Sequence, residues 1–188
     1  YYMDIGREEM IAPTVQTLPK EIKSLPFMIK LYNRYAKPKV WEDKEICYYA
    51  SFGHPHFEKW NGNSLKSGIG GSETAVIKLS ENWVELGYKV TVYCDTPKPE
   101  LINGVTYLPY IMFNPKDKFN IFIQWRHNSL AGKISAKKFL IDLHDIWWED
   151  SYIEKIDGID KIMVKSKYHR ELGKGIIDGK FEIIGNGI

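Results

Sequence analysis

The chain has 188 residues, a length that suits one well-buried domain of ordinary size. Its 44% apolar and 27% charged residues are typical of soluble globular proteins, and the formal charge of +2 argues against a nucleic-acid-binding surface. No apolar run reaches the roughly 18 residues of a membrane span, and no signal peptide is recognisable. Cys47 and Cys94 lie in strand-like runs without metal-ligand spacing, so we expect reduced thiols and a cytoplasmic protein.

Residues 1–44 differ in character from the rest of the chain. They contain scattered prolines and the apolar-basic segment 27–32, which predicts one or two short helices. Because the chain begins with Tyr1 rather than Met, we expect it to be a fragment. On this view residues 1–44 form an N-terminal extension or the tail of a preceding domain.

From Glu45 onward, apolar runs alternate with helical or loop segments. The runs that read as strands are 46–50, 89–94, 105–108, 119–124, 138–143, 161–164 and 181–184. Near-continuous apolar strands are typical of a parallel sheet that is covered on both faces. We therefore predict an α/β fold for residues 45–188, with a doubly wound, mostly parallel, Rossmann-like sheet. In such a fold the ligand lies beyond the carboxyl ends of the strands.

A glycine-rich loop, residues 66–71, leads into an amphipathic helix. Its glycines lack a Cβ and let the backbone approach a ligand closely: Gly68, Gly70 and Gly71. Ser72 is predicted to be the N-cap of the helix, and Gly87 is predicted to end the helix as its C′ residue. Free N–H groups at a helix start bind anions, so the loop is either an anion site or a tight strand-to-helix turn.

The same loop raises the possibility of dinucleotide binding. Gly68 and Gly70 begin the corresponding fingerprint, and Asp95 follows a strand where an acid would bind a ribose. However, Glu73 occupies the sixth position, which requires Gly or Ala for close helix packing. A nicotinamide-dependent oxidoreductase is therefore disfavoured and kept as a third alternative.

Polar side chains follow two further strands. Arg126 is able to clamp an anion, and His144, with Asp145 beside it, is able to donate to a substrate or act as a base. The alternatives are a histidine bonded to a backbone carbonyl and an arginine paired with a surface carboxylate. His54 and His56 have a spacing that suggests a metal, but no third ligand is in view and we expect none.

Several segments, taken together, resemble a known family. In chain order they are Gly70-Gly71-Ser72-Glu73, Leu86-Gly87-Tyr88-Lys89-Val90-Thr91-Val92, Leu143-His144-Asp145, and the run from Asp160-Lys161-Ile162-Met163-Val164-Lys165-Ser166 to Ile183-Ile184-Gly185-Asn186-Gly187-Ile188. Residues 45–188 are thus similar to the N-terminal domain of retaining glycosyltransferases of the GT-B fold, the glycogen-synthase-like family four. Residues 1–44 lie outside this resemblance.

The resemblance implies transfer of a sugar from a nucleotide-sugar donor, without a cofactor, to a glycan, lipid or protein acceptor. The N-terminal domain of that family receives the acceptor, whereas the donor-binding C-terminal domain is absent from this sequence, so we expect the fragment to be inactive alone. The implied site has His144 as its catalytic residue. The residues implied to bind substrate or diphosphate are Gly70, Gly71, Glu73, Arg126 and Asp145.

A second interpretation belongs to the class of binding modules. It is a non-catalytic Rossmann-like domain that binds a nucleotide or a partner. The sequence beyond Ile188 distinguishes the two interpretations, because a second Rossmann-like half with two spaced glutamates would favour the enzyme.

Overall fold

The structure is a computed structural model that describes residues 6–50, 59–145, 158–172 and 179–185. The strands are β1 (Glu45–Tyr49), β2 (Lys89–Cys94), β3 (Glu100–Ile102), β4 (Val105–Pro109), β5 (Lys118–Trp125), β6 (Ser135–Asp142), β7 (Lys161–Val164) and β8 (Phe181–Ile183). The α-helices are α1 (Ile11–Thr17), α2 (Lys20–Lys23), α3 (Pro26–Tyr35), α4 (Gly71–Glu85) and α5 (Lys167–Leu172). None of the described helices is long and apolar enough to cross a membrane.

These strands form one sheet in the order β3-β4-β2-β1-β5-β6-β7-β8. Neighbouring strands run parallel except for β3 and β4, which are antiparallel. The prediction of an α/β fold with a mostly parallel, Rossmann-like sheet is confirmed. Strand β3 was not predicted, because its three residues are too few to show a periodic pattern.

The order of the strands reverses at β1. This strand pairs with β2 on one side and with β5 on the other, and the chain moves outward in opposite directions from there. Loops that leave adjacent strands at such a point diverge to opposite faces, which opens a crevice beyond the carboxyl ends. The expected ligand position therefore lies above β1 and β5.

Each face of the sheet carries its own apolar cluster. Alternate residues of β1 point to opposite faces, so Tyr48 belongs to the cluster beneath α4 and Cys47 to the other. Val76 and Ile77 of α4 are fully buried in the first cluster. The second cluster is aromatic and includes Phe119, Phe122 and Phe139. Burial of each such side chain stabilises the fold by roughly 1.5–3 kcal/mol.

The start of α4 differs from the prediction. The helix begins at Gly71 with Gly70 as its N-cap, and no side chain caps it. Ser72 lies inside the first turn, so its prediction as the N-cap is wrong. The reason is a competing partner, because the Ser72 hydroxyl accepts a hydrogen bond from Arg126 at 2.7 Å.

The end of α4 agrees with the prediction. Gly87 has φ 84°, a conformation that side chains other than glycine rarely adopt. Its N–H donates to the Val84 carbonyl, and the Tyr88 N–H donates to the Trp83 carbonyl, both at 2.9 Å. These two bonds form a Schellman motif that satisfies the last carbonyls of the helix.

The N-terminal region is helical and is joined to the sheet. Its described part, residues 6–44, contains three α-helices, more than the one or two predicted. Val40 forms a parallel bridge with Lys118 at the start of β5, and the Trp41 indole donates to the Asp117 carboxylate at 3.2 Å. The Asn33 amide of α3 donates to the Phe113 carbonyl at 3.3 Å. The region therefore packs on the segment that leads into β5.

Replacement of Gly104 by alanine is expected to destabilise the protein more than the same change at Gly87. Both residues have positive φ, 78° and 84°, so alanine costs roughly 1–2 kcal/mol at either position. A Cβ at Gly104 would lie 2.6 Å from Val84 Cγ1, whereas a Cβ at Gly87 would meet no atom within 4 Å. Urea unfolding should show about 1 kcal/mol of additional loss for Gly104→Ala. Equal losses would contradict this steric argument.

Candidate functional site

Side chains from four segments converge beyond the carboxyl ends of the central strands. The glycine-rich start of α4 follows β1, and Arg126 follows β5. His144 and Asp145 follow β6, and Lys165 follows β7. The predicted site residues are thus brought to one end of the sheet, where a Rossmann-like fold binds its ligand.

Arg126 connects the start of α4 to the segment after β6. One guanidinium nitrogen donates to Ser72 Oγ at 2.7 Å, and Nε lies 3.2 Å from Asp145 Oδ2. The guanidinium carbon lies 4.2 Å from the centre of the Trp125 ring. The Arg126 side chain is 18% exposed, so most of it is buried and only part of it faces the crevice.

Arg126 also has an unusual backbone. Its φ is 66°, in the left-handed region, which costs a residue other than glycine roughly 1–2 kcal/mol. The Arg126 N–H donates to the Asp142 carbonyl and the His127 N–H to the Trp125 carbonyl, both at 2.8 Å. Backbone strain of this kind is concentrated at functional sites, where the surrounding structure holds it.

The two glycines at the start of α4 have different surroundings. A Cβ at Gly70 would overlap the Glu73 carboxylate, which accepts a hydrogen bond from Ser72 Oγ at 2.9 Å. A Cβ at Gly71 would meet no atom within 4 Å. Gly70 therefore makes room for Glu73, while the space beside Gly71 is open among the described residues.

A buried carboxylate lies beneath this surface. Asp142, at the end of β6, is fully buried, and its oxygens accept hydrogen bonds from Tyr48, His144 and Lys165. Burial by itself would raise the pKa of Asp142, but the bonds and charges of His144 and Lys165 outweigh it and hold this pKa below 3.8. Burial raises the pKa of Tyr48 well above 10.0, so Tyr48 remains a donor.

His144 lies in the wall of the crevice. Its side chain is 4% exposed, and its ring packs edge-on against Trp125 with centroids 6.2 Å apart. Nε2 lies 3.1 Å from Asp142 Oδ2 and donates to it, because an ionised carboxylate only accepts. Asp142 therefore fixes Nε2 as a protonated nitrogen of His144 and orients its ring.

A second buried polar group fixes the loop after β5. Gln124 is fully buried, and its amide nitrogen lies 2.8 Å from His127 Nδ1 and 2.9 Å from Ser129 Oγ. Its amide oxygen accepts from the Leu130 N–H at 3.1 Å. Burial lowers the pKa of His127 below 6.5, which keeps the ring neutral and Nδ1 able to accept.

His169 attaches α5 to the same region. Its Nε2 donates to the Asp145 carbonyl at 2.9 Å, and its Nδ1 accepts from the Lys165 N–H at 3.4 Å. Both bonds suit a neutral ring, and burial lowers the pKa of His169 below 6.5. The segment that carries Asp145 is thereby held from two sides, by His169 and by Arg126.

Sequence reasoning missed the importance of Asp142. It lies near the end of the apolar run 138–143, which predicts only a strand. A signal was available, because an acid at the end of a fully buried strand requires partners.

His54 and His56, which suggested a metal, lie outside the described residues. No group of three His, Cys, Asp or Glu side chains in the described ranges is able to hold a metal ion.

Comparisons with known proteins give no match: no protein-family model, no curated protein and no solved structure matches the chain. The structure defines an α/β domain with a mixed, mostly parallel eight-stranded sheet and an N-terminal helical region.

Proposed function

We propose that the chain is the acceptor-side domain of a glycosyltransferase that moves a sugar from a nucleotide-sugar donor with retention of configuration. The observation that carries the proposal is the position of Arg126, whose guanidinium lies 2.7 Å from Ser72 in the first turn of α4. A guanidinium beside the free N–H groups of a helix start suits a diphosphate leaving group. The resemblance of residues 45–188 to family four supports the same assignment.

The proposal gives each site residue a role. The guanidinium of Arg126 and the backbone at Gly71 bind the diphosphate. The ion pair between Arg126 and Asp145 breaks when the diphosphate binds. The Asp145 side chain is 53% exposed and is then free to accept from a sugar hydroxyl. Glu73 and the backbone at Gly70 lie on the acceptor side. His144 contacts the donor sugar, with Asp142 fixing its ring as a positioning residue.

In the proposed enzyme, two domains share the contacts to the substrates. By resemblance, the nucleotide and the paired glutamates belong to a C-terminal domain, and this chain supplies the acceptor surface and the contacts to the leaving group. Turnover is therefore expected from the complete gene product that contains this chain, and not from these 188 residues alone.

The alternative is a non-catalytic module that binds a nucleotide or a partner. One observation favours it, because the candidate groups already have partners within the domain. His144 is bonded to Asp142, and Arg126 is bonded to Ser72 and paired with Asp145. A binding module requires no free base or acid in the crevice.

Glycosyl transfer by the complete gene product tests the proposal. A panel of nucleotide-sugars is used, with released nucleoside diphosphate and the anomeric configuration of the product as readouts. We expect a retained configuration, and we expect His144→Ala to lower kcat/KM roughly 10²-fold or more. The matched control is Lys137→Ala, which removes an exposed side chain near the amino end of β6. Saturable nucleotide binding without transfer from any donor would favour the module instead.

A further inference from the structure

The corner between α2 and α3 exposes an unusual number of apolar side chains. Ile22, Leu25 and Phe27 are 44%, 52% and 70% exposed. No other stretch of six described residues holds three large exposed apolar side chains. Single exposed apolar residues are common on protein surfaces, but a cluster of them marks a surface that binds something. Exposure to this extent also means that the three side chains do not line a deep groove.

Basic residues surround this apolar corner. Residues 20–37 contain five Lys or Arg and a single acid, Glu21, whereas the whole chain has 26 basic and 24 acidic residues. Phe27, Lys30 and Arg34 follow one another at spacings of three and four residues, which places them on one face of α3. All three are exposed. Within the described part of the chain, Lys20 and Lys30 form no ion pair.

We propose that the α2–α3 corner, residues 20–37, binds the surface of an anionic lipid bilayer. Three apolar side chains enter the boundary between headgroups and acyl chains, those of Phe27, Leu25 and Ile22. The Lys and Arg side chains around them contact anionic headgroups. The corner sets exposed apolar side chains beside Lys and Arg, which is the combination that helices lying on membranes use. Helix α3 has ten residues, so it lies on the membrane and does not span it.

Other occupants suit the corner less well. A second copy related by two-fold symmetry would place the same patch against itself, so that five cations and one acid on each side would repel their counterparts. Nucleic acid would satisfy the cations but would leave three apolar side chains without a partner. A bilayer surface supplies both an apolar layer and negative charge, and it requires no matching shape.

The corner is positioned to orient the whole domain. Helix α3 is bonded to the segment before β5 through Asn33 and the Phe113 carbonyl. The chain after α3 is bonded to the same segment through Trp41 and Asp117. A membrane contact at the corner is therefore transmitted to the sheet by packed structure and not by a flexible linker.

Co-sedimentation with lipid vesicles tests the proposal on the full chain. We expect binding to vesicles of phosphatidylcholine with phosphatidylglycerol, little binding to phosphatidylcholine alone, and weaker binding at high salt. Phe27→Ser should lower the partition coefficient about tenfold, because Phe27 is the most exposed of the three apolar side chains and its ring enters the bilayer. Lys30→Ala should lower it about fivefold. Because both side chains are exposed, circular dichroism should show an unchanged fold.

The matched control is Leu101→Ser on the edge strand β3. Leu101 is 73% exposed, which is close to the exposure of Phe27, so the general loss of surface hydrophobicity is similar in the two variants. We expect Leu101→Ser to bind vesicles like the unmodified chain. Absence of binding to anionic vesicles, or equal binding by Phe27→Ser, would overturn the proposal. Sedimentation velocity that shows a dimer abolished by Phe27→Ser would assign the corner to a second copy and would also overturn it.

Discussion

Replacement of Lys165 by methionine is expected to lower the free energy of unfolding by about 3–5 kcal/mol at pH 7. The Lys165 ammonium is paired with the carboxylate of Asp142, a residue with no exposed surface. The variant retains the hydrogen bonds from Tyr48 and His144 but leaves a buried negative charge without its cation. Such a charge loses solvation without a compensating attraction, and urea unfolding measures the loss directly.

Two further variants separate this effect from a general loss of charge. Lys138→Met breaks an exposed ion pair with Asp160 and should cost less than about 1 kcal/mol. Adding Asp142→Asn to Lys165→Met removes the unpaired charge and should recover at least about 1 kcal/mol. A loss of less than about 1 kcal/mol for Lys165→Met would contradict the buried ion pair.

The pH dependence of this difference has a defined sign. The pKa of Asp142 is held below 3.8, so its ionised form contributes stability above that pH. The contribution is lost as the pH falls through the lowered pKa, where the carboxylate takes up a proton. The stability difference between the unmodified chain and Lys165→Met should therefore be fully present near neutral pH and shrink in strong acid.

Replacement of Arg126 by glycine is expected to separate activity from stability. If Arg126 stabilises the diphosphate leaving group, kcat/KM of the complete gene product should fall roughly 10²–10³-fold. The free energy of unfolding should change by less than about 1 kcal/mol. Relief of the left-handed backbone, φ 66°, offsets the lost bond to Ser72, the lost contact with the Trp125 ring and the lost ion pair with the half-exposed Asp145.

Arg126→Lys is the matched variant for this prediction. It retains the positive charge and removes the forked geometry that binds two phosphate oxygens at once. We expect kcat/KM between that of the unmodified enzyme and that of Arg126→Gly. An activity loss that only follows a loss of stability in both variants would mean that Arg126 holds the fold and does not contact substrate.

The sheet was predictable from the sequence because its signals are local. Apolar runs such as 89–94 fix each strand by themselves, and Gly87 marks the end of α4 without reference to any distant residue. The same local reasoning placed the glycine loop, Arg126 and His144 at the carboxyl ends of strands. That placement requires only the direction of the strands, which follows from parallel connectivity.

The partners that are distant in sequence were not predictable for the site residues. Ser72 is a residue type favoured at N-caps, but its hydroxyl accepts from Arg126, 54 residues away, and donates to Glu73. Asp142 is joined to Tyr48 across 94 residues and to Lys165 across 23. Neither pairing leaves a periodic or compositional trace, so these partners of the buried carboxylate are seen only in the three-dimensional arrangement.

The pairing of β1 with β5 has a consequence for synthesis on the ribosome. Ile46 lies beside Ile121, and Val40 bridges to Lys118, so these partners are separated by some 75 residues of chain. At a synthesis rate of roughly 5–20 residues per second, one edge of β1 stays unpaired for about 4–15 s before β5 is made. During that interval an apolar strand is open to other nascent chains. We therefore expect the unpaired edge of this central strand to be accessible to a chaperone during translation.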